Sequence, residues 1–447
     1  MKSTGKNFII AFLMILAIYQ TAELWFGEFS SHNFFAFKDD FSQPGAEDEI
    51  SHTLERIIIN LGENKMLCRG NGIYNSAYKE SADTAIAKLL RKGEVISEGI
   101  ADWKSLLQSK AVIYEYGYIS DGSQAEKFFN VENSNTSKIK SFDTIMLSYD
   151  RGSARLRFIN SQTLWYMEIL SNDTALASDI NGIFEGFSSS KEDIYYISSV
   201  QNGFEIFKNN VFIPRWDGQS VNYSYLSPKM RYEGAYGRAD LEREVNGFFD
   251  NPAGKWINDV EGVLNFSDES TVVKYYPNGV LEYSNYSTGS QNEENDFYTN
   301  YMSALALIKK DEGISNEFFL RDYVMEGGNY IMYFGYKANN LPILMGEELQ
   351  KSTGMKDYIE VTAGMGRVSK YKRYCVDYSL ETDESMVASN DFLNAVDDVY
   401  NRLDLSDEQQ VNDLTLSYID RGNNQQLSLW WIIDIEGTEY LRNVGVS

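Results

Sequence analysis

The side chains that could do chemistry are few, and their spacing is poor. His32 and His52 have no partner histidine at metal-ligand spacing, and neither follows a nucleophile motif. Cys68 and Cys375 form no C-x-x-C pair. In an exported chain they could close one long-range disulfide; the plainer reading is two buried thiols. Ser76-Ala77-Tyr78-Lys79 and Ser188-Ser189-Ser190-Lys191 match the S-x-x-K of penicillin-recognising enzymes, but the S-D-N and K-T-G companions are missing from any suitable context. There is no Gly-rich phosphate loop and no calcium loop of alternating acids around a Gly. Acids such as Asp39-Asp40 and Asp397-Asp398 read as solvated faces. A glycosidase would need two carboxyls roughly 5–9.5 Å apart in a cleft, and sequence does not select such a pair from 65 acids. The residues therefore nominate no catalytic group, no cofactor and no metal ligand, and the expectation is a protein that is not an enzyme.

Charge narrows the partners. Against 65 Asp and Glu stand 40 Lys and Arg, a net charge of -25. Such a surface repels phosphate backbones, which argues against nucleic acid, and it keeps the globular part away from anionic lipid headgroups. A hydrophobic fraction of 43% and an aromatic fraction of 14% supply packed cores rather than disorder.

The elements that must position any site begin with the N-terminus. Lys2 and Lys6 precede an apolar run from Phe8 to Ile18, and Tyr19 to Phe26 continue it with interfacial residues including Trp25. Phe8 to Phe26 is long enough to span a bilayer, and the lysines place the N-terminus inside. The region after it has no clear small-x-small cleavage site, which favours an uncleaved anchor over a signal peptide. Residues 1–27 are thus expected to be a cytoplasmic tail and transmembrane anchor.

Residues 30–215 read as one α+β domain. Ile50, Leu54, Ile57, Ile58 and Leu61 fall at helical spacing within Glu47 to Leu61, as do apolar residues in Ala82 to Leu90. Ala101 to Leu107 reads as a short helix running into a strand at Ala111. Strands rich in Tyr, Ile and Val follow at 144–149, 154–159, 164–170 and 193–197. Beyond them the chain repeats itself. Phe297, Tyr301, Leu305 and Ile308 make one helical face, and Phe392, Val396, Tyr400 and Leu403 make another at an offset of 95 residues. The offset persists from Tyr323-Val324 to Tyr418-Ile419, and from Gly327-Gly328-Asn329 to Gly422-Asn423-Asn424. It also carries Met332, Phe334 and Tyr336 onto Leu427, Leu429 and Trp431. A hairpin precedes each helix: Asn278-Gly279 turns the first, and Gly364-Met365-Gly366 the second. Two small α+β domains with antiparallel sheets, at 225–345 and 355–447, are expected.

Several stretches carry a resemblance. They are Ala101-Asp102-Trp103-Lys104 leading into Tyr114-Glu115-Tyr116, and Phe266 to Tyr283 around Pro277-Asn278-Gly279. Leu429 to Tyr440 is a third, and Glu23-Leu24-Trp25-Phe26 with Ser31 to Phe35 a fourth. With the layout of one membrane helix, one larger domain and two similar smaller ones, they resemble the YycH family of Gram-positive bacteria. The YycI proteins look like the last two domains alone. The family offers no catalytic residues to carry over. The resemblance implies an accessory regulator that contacts a WalK-type sensor histidine kinase of cell-wall metabolism, and a YycI-like protein. An exported binding module for a wall polymer or peptide is the alternative. Within the anchor, Ala11, Ile15, Ile18 and Ala22 share one helical face whose small ends admit a partner helix. From the residues alone this face serves equally as a plain lipid-facing surface, and the resemblance favours the partner.

The topology has a direct check. Protease added to protoplasts should digest the C-terminal region while the protein keeps Met1 or Lys2. A mature chain starting at about residue 20–30 would instead identify a signal peptide.

Overall fold

The computed structural model describes residues 52–444, apart from 63–65, 70–75, 133–134, 151, 186–194, 217–219, 233–236, 288–293, 340, 407 and 423–424. The expected anchor at 1–27, its face Ala11, Ile15, Ile18 and Ala22, and His32 lie outside the described residues. Among the described residues no helix is long and apolar enough to cross a membrane. The architecture is mixed α+β, its sheets antiparallel except for one parallel strand pair.

The first sheet is built from β1 (Arg56–Asn60), β2 (Met66–Arg69), β3 (Glu94–Ile100), β4 (Ala111–Ser120), β5 (Phe142–Asp150), β6 (Ser153–Ile159), β7 (Trp165–Ser171), β8 (Tyr195–Ser198) and β9 (Phe212–Arg215). Their spatial order is β3-β7-β6-β5-β4-β1-β2-β8-β9, antiparallel throughout. Helices α1 (Ser76–Lys92) and α4 (Thr174–Glu185) cover one face with Ala85, Ile86, Leu89, Ile180 and Phe184. The short helices α2 (Trp103–Leu106) and α5 (Ser199–Asn202) lie on the other, where Trp103, Ile58, Ile113, Met146 and Phe212 form a smaller core. Helix α3 (Gly122–Phe128) follows β4.

One expectation is corrected here. Of the helix expected over Glu47 to Leu61, residues 47–51 lie outside the described residues, and Arg56–Asn60 is a strand. Ile57 and Ile59 enter the large core while Ile58 enters the small one. A strand buried on both faces reads as a continuous β-branched run, which periodicity alone cannot separate from a helix.

The second half contains β10 (Ser220–Met230), α6 (Gly237–Glu244), β11 (Trp256–Val260), β12 (Val263–Ser267), β13 (Thr271–Tyr275), β14 (Val280–Asn285), α7 (Phe297–Lys310), β15 (Glu317–Glu326) and β16 (Asn329–Ala338). It continues with β17 (Leu341–Met345), α8 (Glu347–Thr353), β18 (Ile359–Gly364), β19 (Arg367–Tyr374), β20 (Val376–Ser389), α9 (Phe392–Leu403), β21 (Val411–Asp420), β22 (Leu429–Ile435) and β23 (Thr438–Asn443). Twelve of these strands form one sheet in the order β11-β12-β13-β14-β19-β18-β16-β17-β21-β22-β23, with β15 also on β16; β10 and β20 pair separately.

The 95-residue offset is visible in the helices. Asp296 caps α7 by accepting from Thr299 N at 3.0 Å, and Asp391 caps α9 by accepting from Asn394 N at 3.2 Å. Phe297, Tyr301, Leu305 and Ile308 are buried, as are Phe392, Val396 and Tyr400. Leu403 departs from the expected face: it is 45% exposed, and Val399 is buried instead. The hairpins slip by two residues. Tyr323 faces Met332, whereas Tyr418 faces Leu429 and Leu427 bridges to Leu226. A slip of two preserves the alternation, so Leu427, Leu429 and Trp431 stay buried. The topology holds a second difference. Hairpin β18–β19 lies between β14 and β16, under α7, so strands from 225–345 and from 355–447 share one ladder.

A buried ion pair fastens that arrangement. Arg373 on β19 meets Asp311, the C-cap of α7, at 2.9 Å, and both side chains are 1% exposed. Tyr371 donates to Asp311 at 2.7 Å, and Arg373 donates to the Gly313 carbonyl and, at 3.0 Å, to Tyr232. Tyr232 donates to Glu244, which pairs with Arg231 at 3.2 Å, and Arg231 reaches Asp377 at 3.0 Å. Cys375 beside them is a free buried thiol, pushed up by burial to about 12, and is chemically quiet there. Removing one partner strands a buried charge. Asp311→Ala is expected to cost roughly 3–5 kcal/mol in urea unfolding, and Asp311→Leu with Arg373→Met less than either single change.

Candidate functional site

The two large sheets meet along β4, β1, β15 and β21. Gly117 on β4 packs so tightly that an added Cβ would stand 2.5 Å from the Arg321 carbonyl oxygen of β15. His52 stacks on Phe318 with ring centroids 4.3 Å apart, and its carbonyl accepts from Leu320 N at 2.7 Å. The ammonium of Lys337 is buried over the Phe319 ring, 4.1 Å from its centroid, and donates to the carbonyls of Leu54 and Glu55. Tyr118, Phe297 and Tyr323 interlock at the same seam, where Gln124 donates to the Tyr323 hydroxyl at 3.2 Å. At its other end Trp216 stacks on Trp431, and Lys208 N donates to the Val411 carbonyl at 2.9 Å.

A cleft of about 520 Å³ opens on this seam. Its lining includes Gly117, Arg321, Tyr333, Lys356, Asp357 and Glu439. Arg321 sits at a register shift between Leu320 and Asp322, a bulge that re-aims its side chain. Its stem crosses Gly335, where an added Cβ would come within 2.7 Å of Arg321 Cδ. The guanidinium then meets the buried carboxylate of Asp357 at 3.1 Å. Burial raises Asp357, and Arg321 pulls it back down. Lys356 pairs with Asp322 at 2.9 Å and lies over the Tyr333 ring. Each cation thus already has a carboxylate. A polar ligand would have to exchange partners with one of these pairs to bind.

Beside the cleft, Arg56 on β1 pairs with Glu115 on β4 and, at 3.5 Å, with Asp413 on β21. Burial outweighs Arg56 and pushes the Glu115 carboxyl up to about 7. Between its ordinary 4.5 and about 7 the folded chain binds more protons than the unfolded chain, so stability falls as pH rises through that window. The predicted loss is at most about 3 kcal/mol, read from denaturation midpoints at pH 5 and 7, and Glu115→Gln should flatten it. Gly117→Ala should cost roughly 1–3 kcal/mol by forcing β4 off β15. Gly99→Ala, which meets only the Tyr166 ring at 3.5 Å, is the control.

Residues singled out by sequence take structural places. His52 is in the seam. Lys79 of the first S-x-x-K pairs with Asp83 at 2.6 Å, and Ser188 to Lys191 lie outside the described residues. Asp398 pairs with Arg402 and Arg442. Cys375 is free and buried, and the Cys68 side chain lies outside what is described. Arg321 and Arg56 were not indicated by any sequence motif, and Glu115 stood only within a stretch that carries the resemblance, because the bulge and the seam that join them are long-range.

No protein-family model matches this chain, and no curated protein does. Among solved structures, YycH from Bacillus subtilis superposes over 88% of this chain and 96% of its own, with a TM-score of 0.50 at 11% identity. An uncharacterised protein from Eubacterium rectale covers 54% of this chain and 88% of its own at 12% identity, with a TM-score of 0.32. The C-terminal domain of YpeB from Bacillus megaterium covers 46% of this chain and 92% of its own at 11% identity, with a TM-score of 0.23. In fold, this chain is similar to YycH over most of its length.

Proposed function

We propose that this chain is a non-enzymatic accessory regulator of a WalK-type two-component system, held in the cell membrane by residues 1–27 with its bulk outside. The observation that carries the reading is the fold likeness to YycH, which spans 88% of this chain and nearly all of YycH. In this reading the two helix-bearing copies around α7 and α9 act with the larger N-terminal sheet as one outer body. The partners are a sensor histidine kinase and a YycI-like protein. The anchor face Ala11, Ile15, Ile18 and Ala22 meets a kinase helix, where close approach of small residues rather than hydrophobic transfer drives association.

Kinase output and crosslinking to the kinase test the reading. Ala11→Leu with Ala22→Leu keeps the span apolar but blocks close approach, and an unrelated anchor of equal length should act likewise. Both changes are expected to alter output and abolish the crosslink. Survival of both signals would move the contact to the outer body. The charged cleft favours the second reading, an exported module for a wall polymer or peptide. That reading requires the solubilised full chain to bind muropeptides and Arg321→Ala to weaken the binding.

A further inference from the structure

The long sheets end in five edges: β15, off the main path, is covered at the seam, and three of the other four are blunted. β3 carries Glu94, Glu98 and a register shift between Val95 and Ser97; β9 carries Pro214; β23 carries Glu439 and Arg442. Charges, bulges and prolines are the usual means of preventing an edge from pairing. β11 differs. All five of its residues are exposed, with Trp256 at 68%, Ile257 at 41% and Val260 at 53%. Its register with β12 runs without a bulge from Trp256↔Ser267 to Val260↔Val263, and it contains no proline. Among the described residues no strand pairs with its outer side.

The turn fixes which backbone groups are available. Glu261 and Gly262, at φ 56° and 82°, close a two-residue hairpin between Val260 and Val263. In such a hairpin the flanking pair exchanges both ladder hydrogen bonds. Alternation then turns the amides of Trp256, Asn258 and Val260 towards β12. The amides of Ile257 and Asp259 face outward.

Charge selects the occupant. Asp250, Asp259, Glu261 and Glu269 are exposed around this hairpin, and none forms an ion pair among the described residues. The nearby cation Lys255 is turned back onto Asn246 and the Pro252 carbonyl. A second copy would bring the same acids together on a chain of net charge -25.

We propose that β11 is a docking strand that takes an extended segment of a partner protein, with Lys or Arg alternating with apolar residues, by strand addition to the Ile257 and Asp259 amides. The proposal holds whether or not that partner is a sensor kinase. Kinase output tests the regulatory reading, and the following experiment tests the strand.

A photo-reactive phenylalanine analogue is placed at position 256 of the full-length protein in its own membrane, and the adduct is mapped by mass spectrometry. The expected adduct lies on a partner segment of net positive charge and weakens as salt rises. Ile257→Pro removes an outward amide without touching the β12 ladder, so it should reduce the adduct by about tenfold or more, while Ile257→Ser should retain it. Asp259→Lys with Glu261→Lys leaves the ladder intact and should cause a similar loss of about tenfold, separating loss of docking from loss of fold. An adduct onto a second copy, onto this chain's own residues or onto a neutral or acidic segment overturns the proposal. So does insensitivity to both Ile257→Pro and the double lysine variant, or the absence of any adduct.

Discussion

The ion pair between Arg373 and Asp311 decides how the second half of this chain is assembled. Both charges are out of water, and an isolated buried charge is intolerable. The pair therefore holds β19 and the end of α7 together, with Tyr371, Tyr232 and the Gly313 carbonyl adding hydrogen bonds to it. An apolar pair could hold these elements as strongly. Through Tyr232 and Glu244 the network reaches Arg231, and through Arg231 it reaches Asp377. One polar chain thus ties α6, the end of β10, α7, β19 and the start of β20.

That constraint explains the mixed ladder. A duplicated strand–strand–helix–strand–strand unit would be self-contained if each hairpin stayed under its own helix. Here β18–β19 supplies the floor beneath α7, while α9 lies against β22 beside the separate β10–β20 pair. The halves cannot part without breaking ladder hydrogen bonds between β14 and β19 and between β16 and β18. The seam to the first sheet is sealed differently. Close backbone approach at Gly117, stacked rings at His52–Phe318 and Trp216–Trp431, and the buried Lys337 ammonium spread its contacts along the whole interface.

The net charge of the chain constrains its neighbours. Its excess of acids disfavours phosphate-rich surfaces. It also leaves protein partners with complementary cations as the favoured neighbours.

The sequence by itself determined the local elements. Alternating Tyr, Ile and Val marked the strands of the first sheet, Pro277-Asn278-Gly279 marked a hairpin, and the 95-residue offset located α7 and α9, down to equivalent Asp caps. These signals were legible because each is encoded within a few residues by period, turn geometry or capping. It misread Arg56–Asn60 as helical, because a strand covered on both faces loses its alternation. It also placed Leu403 on a buried face that the chain instead builds from Val399. Only the tertiary structure decided that β18–β19 sits under α7 and that Arg321 is swung by a bulge onto Asp357. It alone placed Glu115 against Arg56 and left β11 as a bare edge. Each of these depends on residues far apart in the chain meeting through backbone pairing and burial, and no local spacing records which strands will become neighbours.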